Sequence, residues 1–309
     1  MGLRCTGSAG IVMTLLAAGT TSAATVQERL GHPANARLLI IHADDLGMSH
    51  SVNRASFEAL EQGWISSASI LVPCPWFPEV VRFARAHPDA DLGIHLALTS
   101  EWTTFRWRPL SAAESVPSLL DQDGYLPLVE STVGQRARPD EAEKELRAQI
   151  ALARAAGIRI THLDSHMNSL NETGPLHEVY RKLARESAVP IRWDRTMQVP
   201  AGGTMPAEEI LVDGTVALGP GVDPKAWRAA YERLLAPLPP GVYLMVVHLG
   251  YADDEMWGAT ADHPDWGAAW RRYDLDLVRS PEFRQFLKDQ GFVVVSWKDV
   301  ARALPAPQR

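Results

Sequence analysis

Only two cysteines, Cys5 and Cys74, occur among 309 residues, so no disulfide framework can carry this fold. Long apolar runs are missing too; nothing beyond a short N-terminal segment approaches the roughly 20 residues needed to span a bilayer. Charge of one sign does not gather into blocks. With 30 basic and 37 acidic side chains the formal net charge is -7. A surface that neutralises phosphate needs clustered cations, so no nucleic-acid partner is expected. Internal repeats and low-complexity linkers are likewise absent. What is present, 46% apolar against 22% charged residues, is enough for a sizeable core and excludes dominant disorder.

The chain opens with Met1-Gly2-Leu3-Arg4, a small apolar run from Ile11 to Ala18, and Thr20-Thr21-Ser22-Ala23-Ala24. One positive charge, a short greasy segment and small residues at its end are the pattern of a secretory signal peptide. Residues 1–23 are therefore expected to be removed by cleavage after Ala23 or Ala24. Residues 24–309 remain as a single domain with no stable membrane span, exported to the periplasm or outside the cell. Cys5 would leave with the signal. Cys74, between Pro73 and Pro75 with no charged neighbour to lower its pKa, reads as a buried spectator thiol.

From residue 37 onward short apolar runs alternate with longer amphipathic ones, the pattern of repeated βα units. Strands are expected at Arg37 to Ala43, Ser67 to Val72, Leu92 to Leu98, Ile158 to Leu163, Pro190 to Trp193, Ile210 to Val212, Val242 to His248 and Phe292 to Ser296. The clearest helices are Ser51 to Gln62, Pro78 to Ala86, Pro139 to Ala156 and Leu176 to Ser187, most with a start or stop residue that helices use. About seven or eight mostly parallel strands can close into a barrel, and an open doubly wound sheet is the alternative. Two stretches break the rhythm, Thr99 to Arg138 and Tyr251 to Tyr273. Both follow strand carboxyl ends, where α/β proteins place their sites.

The chemistry-bearing residues cluster at those same ends. Ile40-Ile41-His42-Ala43-Asp44-Asp45 is an apolar strand ending in adjacent carboxylates, whose burial demands a cation or hydrogen bonds; the bland reading makes Asp45 a helix cap. In Ile158 to Asn168, strand alternation puts Ile160, His162, Asp164 and His166 on one face, successive members roughly 6.5 Å apart. One imidazole can bind metal while the carboxylate orients it. His95 and His248 lie at the ends of two further strands. The remaining histidines, including His32, His50, His87, His177 and His263, lie in helical or loop contexts. Asp44 or Asp45, His95, one of His162 and His166, and His248 can thus meet in one mouth, around a divalent cation with open positions for water and substrate.

Together, Ala43-Asp44-Asp45-Leu46-Gly47, Gly93-Ile94-His95-Leu96-Ala97-Leu98-Thr99, Thr161-His162-Leu163-Asp164-Ser165-His166 and the late His248 resemble the YdjC-like carbohydrate deacetylases, the family that includes chitooligosaccharide deacetylase. The resemblance spans about residues 37 to 300. It implies an α/β fold, a single-domain deformed (β/α) barrel. It also implies a hydrolase acting on a linear amide C–N bond, which removes an acetyl group from an N-acetylated sugar or oligosaccharide. On the matching positions Asp45, His95 and His166 would be the ligands of one divalent ion, magnesium or zinc. Asp44 would be the general base for metal-activated water, and His248 the general acid or oxyanion stabiliser. His162 and Asp164 would support the ligands, and Arg192 would contact substrate or orient a carboxylate. Met167-Asn168-Ser169 and Leu249-Gly250 depart from the family pattern of extra histidines and a proline at those places, and the departures leave the ligands untouched.

Trp102, Trp107, Trp257, Trp266 and Trp270 fall in the two long loops. Indole faces suit sugar rings, and core packing is their other use. The competing functions are a metal-dependent esterase or phosphoesterase on the same scaffold, and an inactive exported carbohydrate-binding protein. A two-carboxylate glycoside hydrolase fits several histidines and adjacent aspartates badly.

Overall fold

The computed structural model describes residues 24–304, so the expected signal peptide lies outside the described residues. Seven strands form one parallel sheet: β1 (Arg37–Leu46), β2 (Ser67–Ile70), β3 (Leu92–Leu96), β4 (Ile160–Ser165), β5 (Gly214–Val216), β6 (Gly241–Val247) and β7 (Phe292–Val294). Their order is β4-β3-β2-β1-β6-β5, with β7 also on β1, and every pairing is parallel. One edge of β1 is shared: Arg37 to Leu39 pair with β7, and His42 to Leu46 pair with β2.

The sheet does not close by continuous pairing among the described residues. Between β4 and β5 runs the segment Ile191 to Asp194, joined by single bridges, Leu163 to Ile191 and Asp194 to Val212. This is the deformed barrel expected, with two strands corrected. Pro190 to Trp193 and Ile210 to Val212 are bridges rather than strands. Pro190 has no N–H to offer a ladder. Asp194 accepts the Thr196 N–H at 2.8 Å, which bends the chain into an Asx turn. The strand expected near 210 forms instead at Gly214–Val216. Elsewhere the expectation is shifted by a few residues; β4 in particular begins later and runs through Asp164.

Alternation along the strands sorts side chains cleanly. Leu39, Ile41 and Ala43 of β1, with Met245 and Val247 of β6, face outward into the main core beneath the helices. Leu38 and Ile40, with Val242, Leu244, Val246 and Trp297, form a second, smaller core that plugs the barrel interior. Continuing the inward series of β1 past this apolar plug gives His42 and then Asp44, both buried. Along β1 and β6 the interior is therefore greasy at the amino ends and polar at the carboxyl ends.

The covering helices used below are α1 (His50–Glu61), α2 (Phe77–Ala86), α3 (Pro139–Ala155), α4 (Gly174–Ser187), α5 (Trp227–Leu235) and α6 (Ala268–Arg279). Ser49 caps α1 by accepting the Val52 N–H, so Asp45 is not the cap. Cys74 is free and buried, and its thiol is pushed well up by burial and by nearby carboxylates.

The two long loops carry structure of their own. The first holds two 3₁₀ turns and a short helix, Glu130–Arg136. The second contains Asp254–Ala259 and the start of α6, so Trp270, Arg271 and Tyr273 are helical. The first loop is pinned by acids on α3. Glu145 accepts the N–H groups of Leu110 at 3.0 Å and Ser111 at 2.8 Å, and Glu141 accepts that of Ser118 at 2.7 Å. Gln149 clamps Ala97 through both its N–H and its carbonyl. Glu145→Ala, which strands two backbone donors, is expected to cost about 2–3 kcal/mol in urea unfolding and to speed exchange of the Leu110 and Ser111 amides. Unchanged exchange would mean that packing alone holds the loop.

Candidate metal centre and active site

Adjacent residues of a regular strand point to opposite faces, so Asp44 and Asp45 should not share a site. A register shift in the β1–β2 pairing between Ala43 and Leu46, together with a left-handed Asp45 (φ 73°), turns both carboxylates toward the mouth. Aspartate tolerates that conformation better than most residues. Asp44 Oδ2 and Asp45 Oδ1 then lie 3.8 and 3.5 Å from the same atom, His95 Nε2. A second strained turn follows β4. Met167 and Asn168 are left-handed (φ 50° and 53°), and the Ser165 and Ser169 hydroxyls tie the turn down, which leaves the His166 ring over the mouth.

Asp45, His95 and His166 offer three donor atoms within 4.8 Å of one another. Asp45 Oδ1 is 3.5 Å from His95 Nε2 and 3.6 Å from His166 Nδ1. Those separations are close to the edge of a tetrahedron with bonds of about 2.0–2.1 Å, roughly 3.3–3.5 Å. Asp45 Oδ1 is buried with no hydrogen-bond partner, while Asp45 Oδ2 takes a 2.7 Å bond from the Arg271 guanidinium. A buried carboxylate oxygen left bare beside two imidazole nitrogens fits a cation. Two other triads, Asp44/His95/Asp164 and His42/His162/Asp164, are as compact but are joined internally by hydrogen bonds through Asp164.

Each imidazole is held from behind. His95 Nδ1 is 2.9 Å from Asp164 Oδ1, and His166 Nε2 is 2.9 Å from Glu101 Oε2. Asp164 also meets His42 and the Ser69 hydroxyl. The charges respond to this crowding. Burial works against ionising Asp45, but Arg271, His248, His166 and His95 outweigh it and hold the carboxyl at about 2. Burial also disfavours a proton on His95, yet Asp164 and Asp44 push it up to about 9. The negative surplus that retains that proton is equally available to a metal ion.

Asp44 sits beside the triad. Burial opposes its ionisation, but His95, Arg192 and His42 hold it well below the usual carboxylate range. Arg192 Nη1 is 3.2 Å from Oδ2, and His42 Nε2 lies 3.0 Å from Oδ1 without the alignment of a hydrogen bond. His248 Nε2 is 3.7 Å from Asp44 Oδ2; burial brings its pKa down to about 4, so the ring is neutral near pH 7. The ring packs 4.7 Å from Trp270, and its backbone N–H donates to buried Asp274, whose carboxyl burial pushes up to about 7.

The expected residues thus divide. Asp44, Asp45, His95, His166, His248 and Arg192 come together at the mouth, with Asp164 directly behind His95. His162 lies a level deeper, 4.9 Å from the His42 ring and stacked on Trp297, and does not reach the mouth. It fills the space that Gly93 leaves, where a Cβ would fall 2.3 Å from its Nε2. Sequence reasoning misses three residues. His42 follows from the inward alternation that places Asp44. Glu101 and Arg271 sit in the long loops, and no local pattern marks either. Of the loop tryptophans, Trp102, Trp107 and Trp270 are core; Trp257 and Trp266 are exposed.

Fold and site together define a parallel α/β domain with three donor atoms, compatible with a cation, beside a buried carboxylate at its strand carboxyl ends. The model of the YdjC-like protein family matches residues 38–289, and the chain belongs to that family. A carbohydrate deacetylase of Thermus thermophilus is 35% identical over 284 residues, covering 90% of this chain and 98% of that protein. Another, of Brevibacillus brevis, is 37% identical over 155 residues, 50% of this chain and 58% of its own. A crystal structure from Enterococcus faecalis V583, named for cellobiose-phosphate cleavage, shares the fold with a TM-score of 0.68 at 22% identity, covering 86% of this chain and 99% of that one.

Arg271→Met leaves the Asp45 charge buried without its guanidinium. The metal-free variant is expected to unfold with about 3–5 kcal/mol less stability in urea. An unmoved midpoint would show that Asp45 does not depend on Arg271.

Proposed function

We propose that this protein is a metal-dependent hydrolase that removes the acetyl group from an N-acetylated sugar or oligosaccharide. What supports the reading is the convergence of Asp45, His95 and His166 beside Asp44, in a chain aligned over most of its length with a relative named carbohydrate deacetylase. When bound by Asp45, His95 and His166, a divalent cation supplies Lewis acidity to the amide carbonyl and lowers the pKa of water.

Asp44, kept ionised and oriented by Arg192, takes a proton from the attacking water. Oxygen bonds to the acetyl carbon, and the carbonyl electrons move onto its oxygen. Neutral His248 donates a hydrogen bond to that developing charge. The carbonyl then re-forms as the C–N bond breaks, the proton passes from Asp44 to the departing amine, and acetic acid and a free amine result. Trp266 is exposed and packs edge-on against Trp270 at 4.7 Å, which in turn lies against His248; the row of rings leads from the site to a surface suited to a sugar face.

The test is metal analysis with acetate-release and phosphate-release assays on N-acetylated oligosaccharides and phosphorylated sugars, respectively. Acetate released and abolished by chelator is the expected result; release of phosphate instead would select the phosphoesterase reading, and chelator-insensitive sugar binding without acetate the binding protein. Asp44→Asn is expected to fold, retain metal and lose about 10² to 10⁴ in kcat. Unchanged turnover would remove Asp44 from the base role. Export is proposed with the activity: protein recovered from the periplasm or medium should begin at Ala24 or Thr25, and a chain retaining Met1 in the cytoplasm would refute it.

A further inference from the structure

We infer that Glu101 is the positioning residue that decides which ring nitrogen His166 turns toward the metal. The inference rests on the reading of Asp45, His95 and His166 as a divalent-ion site. The two imidazoles reach that position by opposite nitrogens. His95 presents Nε2, 3.5 Å from Asp45 Oδ1, with Nδ1 bonded to Asp164 at 2.9 Å. His166 presents Nδ1, 3.6 Å from the same oxygen, with Nε2 bonded to Glu101 at 2.9 Å.

A metal-binding imidazole carries its proton on the nitrogen facing away from the ion. A carboxylate accepting that N–H fixes both tautomer and ring orientation, and makes the ring a stronger donor. Asp164 performs this for His95 from a strand within the barrel. For His166 the same part falls to Glu101, on the first long loop, two residues beyond the Gly93 to Thr99 motif.

The loop holds Glu101 in place. Its neighbour Trp102 is buried, with its ring 5.7 Å from that of Trp107 and 5.6 Å from the Arg271 guanidinium carbon. Trp107 also lies against the His166 ring, at 5.8 Å. Thr103 donates its N–H to Asp262 of the second long loop at 2.6 Å. Glu101 therefore reaches His166 from a braced segment, and Arg271, which braces it, is the group that fixes Asp45.

The experiment measures zinc affinity, by competition with a chromophoric chelator, for the wild-type protein, Glu101→Ala and Glu101→Gln. Long-range ¹H–¹⁵N spectra of the zinc-loaded proteins are read alongside. The expected spectra show His166 bound through Nδ1 with a proton on Nε2, and His95 with the opposite assignment. Glu101→Ala is expected to weaken zinc binding about 10- to 100-fold with little change in the melting of the metal-free protein. In Glu101→Gln the amide oxygen still accepts the Nε2 proton, so the tautomer persists and the loss is smaller; this variant carries the test if the alanine variant does not fold. Zinc affinity of Glu101→Ala within about twofold of wild type, or His166 bound through Nε2, would overturn the inference alone. A wild-type protein that binds no divalent ion would overturn the site reading with it.

Discussion

Placing two neighbouring carboxylates out of water at the end of one strand is the constraint from which the rest of the site follows. Asp44 and Asp45 are both almost fully buried, and like charges so placed are unfavourable unless cations and donors surround them. The chain supplies these from far away: Arg192 lies 148 residues beyond Asp44, and Arg271 226 beyond Asp45. His95, His166 and His248 arrive from three other strand ends. The charge balance is therefore complete only when the barrel is assembled, and the site is a product of tertiary closure rather than of any local motif.

Closure also separates two tasks. Amino-terminal halves of β1 and β6 fill the interior with Leu38, Ile40, Val242 and Leu244, which exclude water and fix the strands against one another. Carboxyl-terminal halves carry Ser69, His42, His95 and Asp164, whose hydrogen bonds satisfy one another across β1 to β4, with Asp44 beside them. The apolar floor makes the electrostatics above it strong, because little solvent reaches the charged groups from below. Substrate-facing variety is left to the loops.

The sequence is legible wherever side-chain period and chemistry coincide. Apolar runs ending in Asp44-Asp45, His95, Asp164 and His248 announce parallel strands with polar tips, because alternation and burial act within a few residues. His42 obeys the same rule and is readable, but a histidine inside an apolar run resembles a structural one until its partners are known. Glu101 and Arg271 are not readable: each acts onto a residue distant in sequence, and tertiary packing, including that of Trp102 against Arg271, brings them to the mouth. The false strands near 190 and 210 are misread because short β-rich runs give no sign of the Asx turn at Asp194 that, with the missing N–H of Pro190, interrupts their pairing. The bulge that turns Asp45 inward leaves no compositional trace either.

That bulge makes β1 intolerant of changes in length. Removing Ala43 while keeping the end of the strand fixed would exchange the floor residues Leu38 and Ile40 with the helix-facing Leu39 and Ile41, both apolar and easily accommodated. His42 would be driven into the greasy layer under the helices by the same exchange, and Asp164 and Ser69 would lose their common partner. The strand can thus drift in composition along its lower half, but its spacing is counted backward from Asp45.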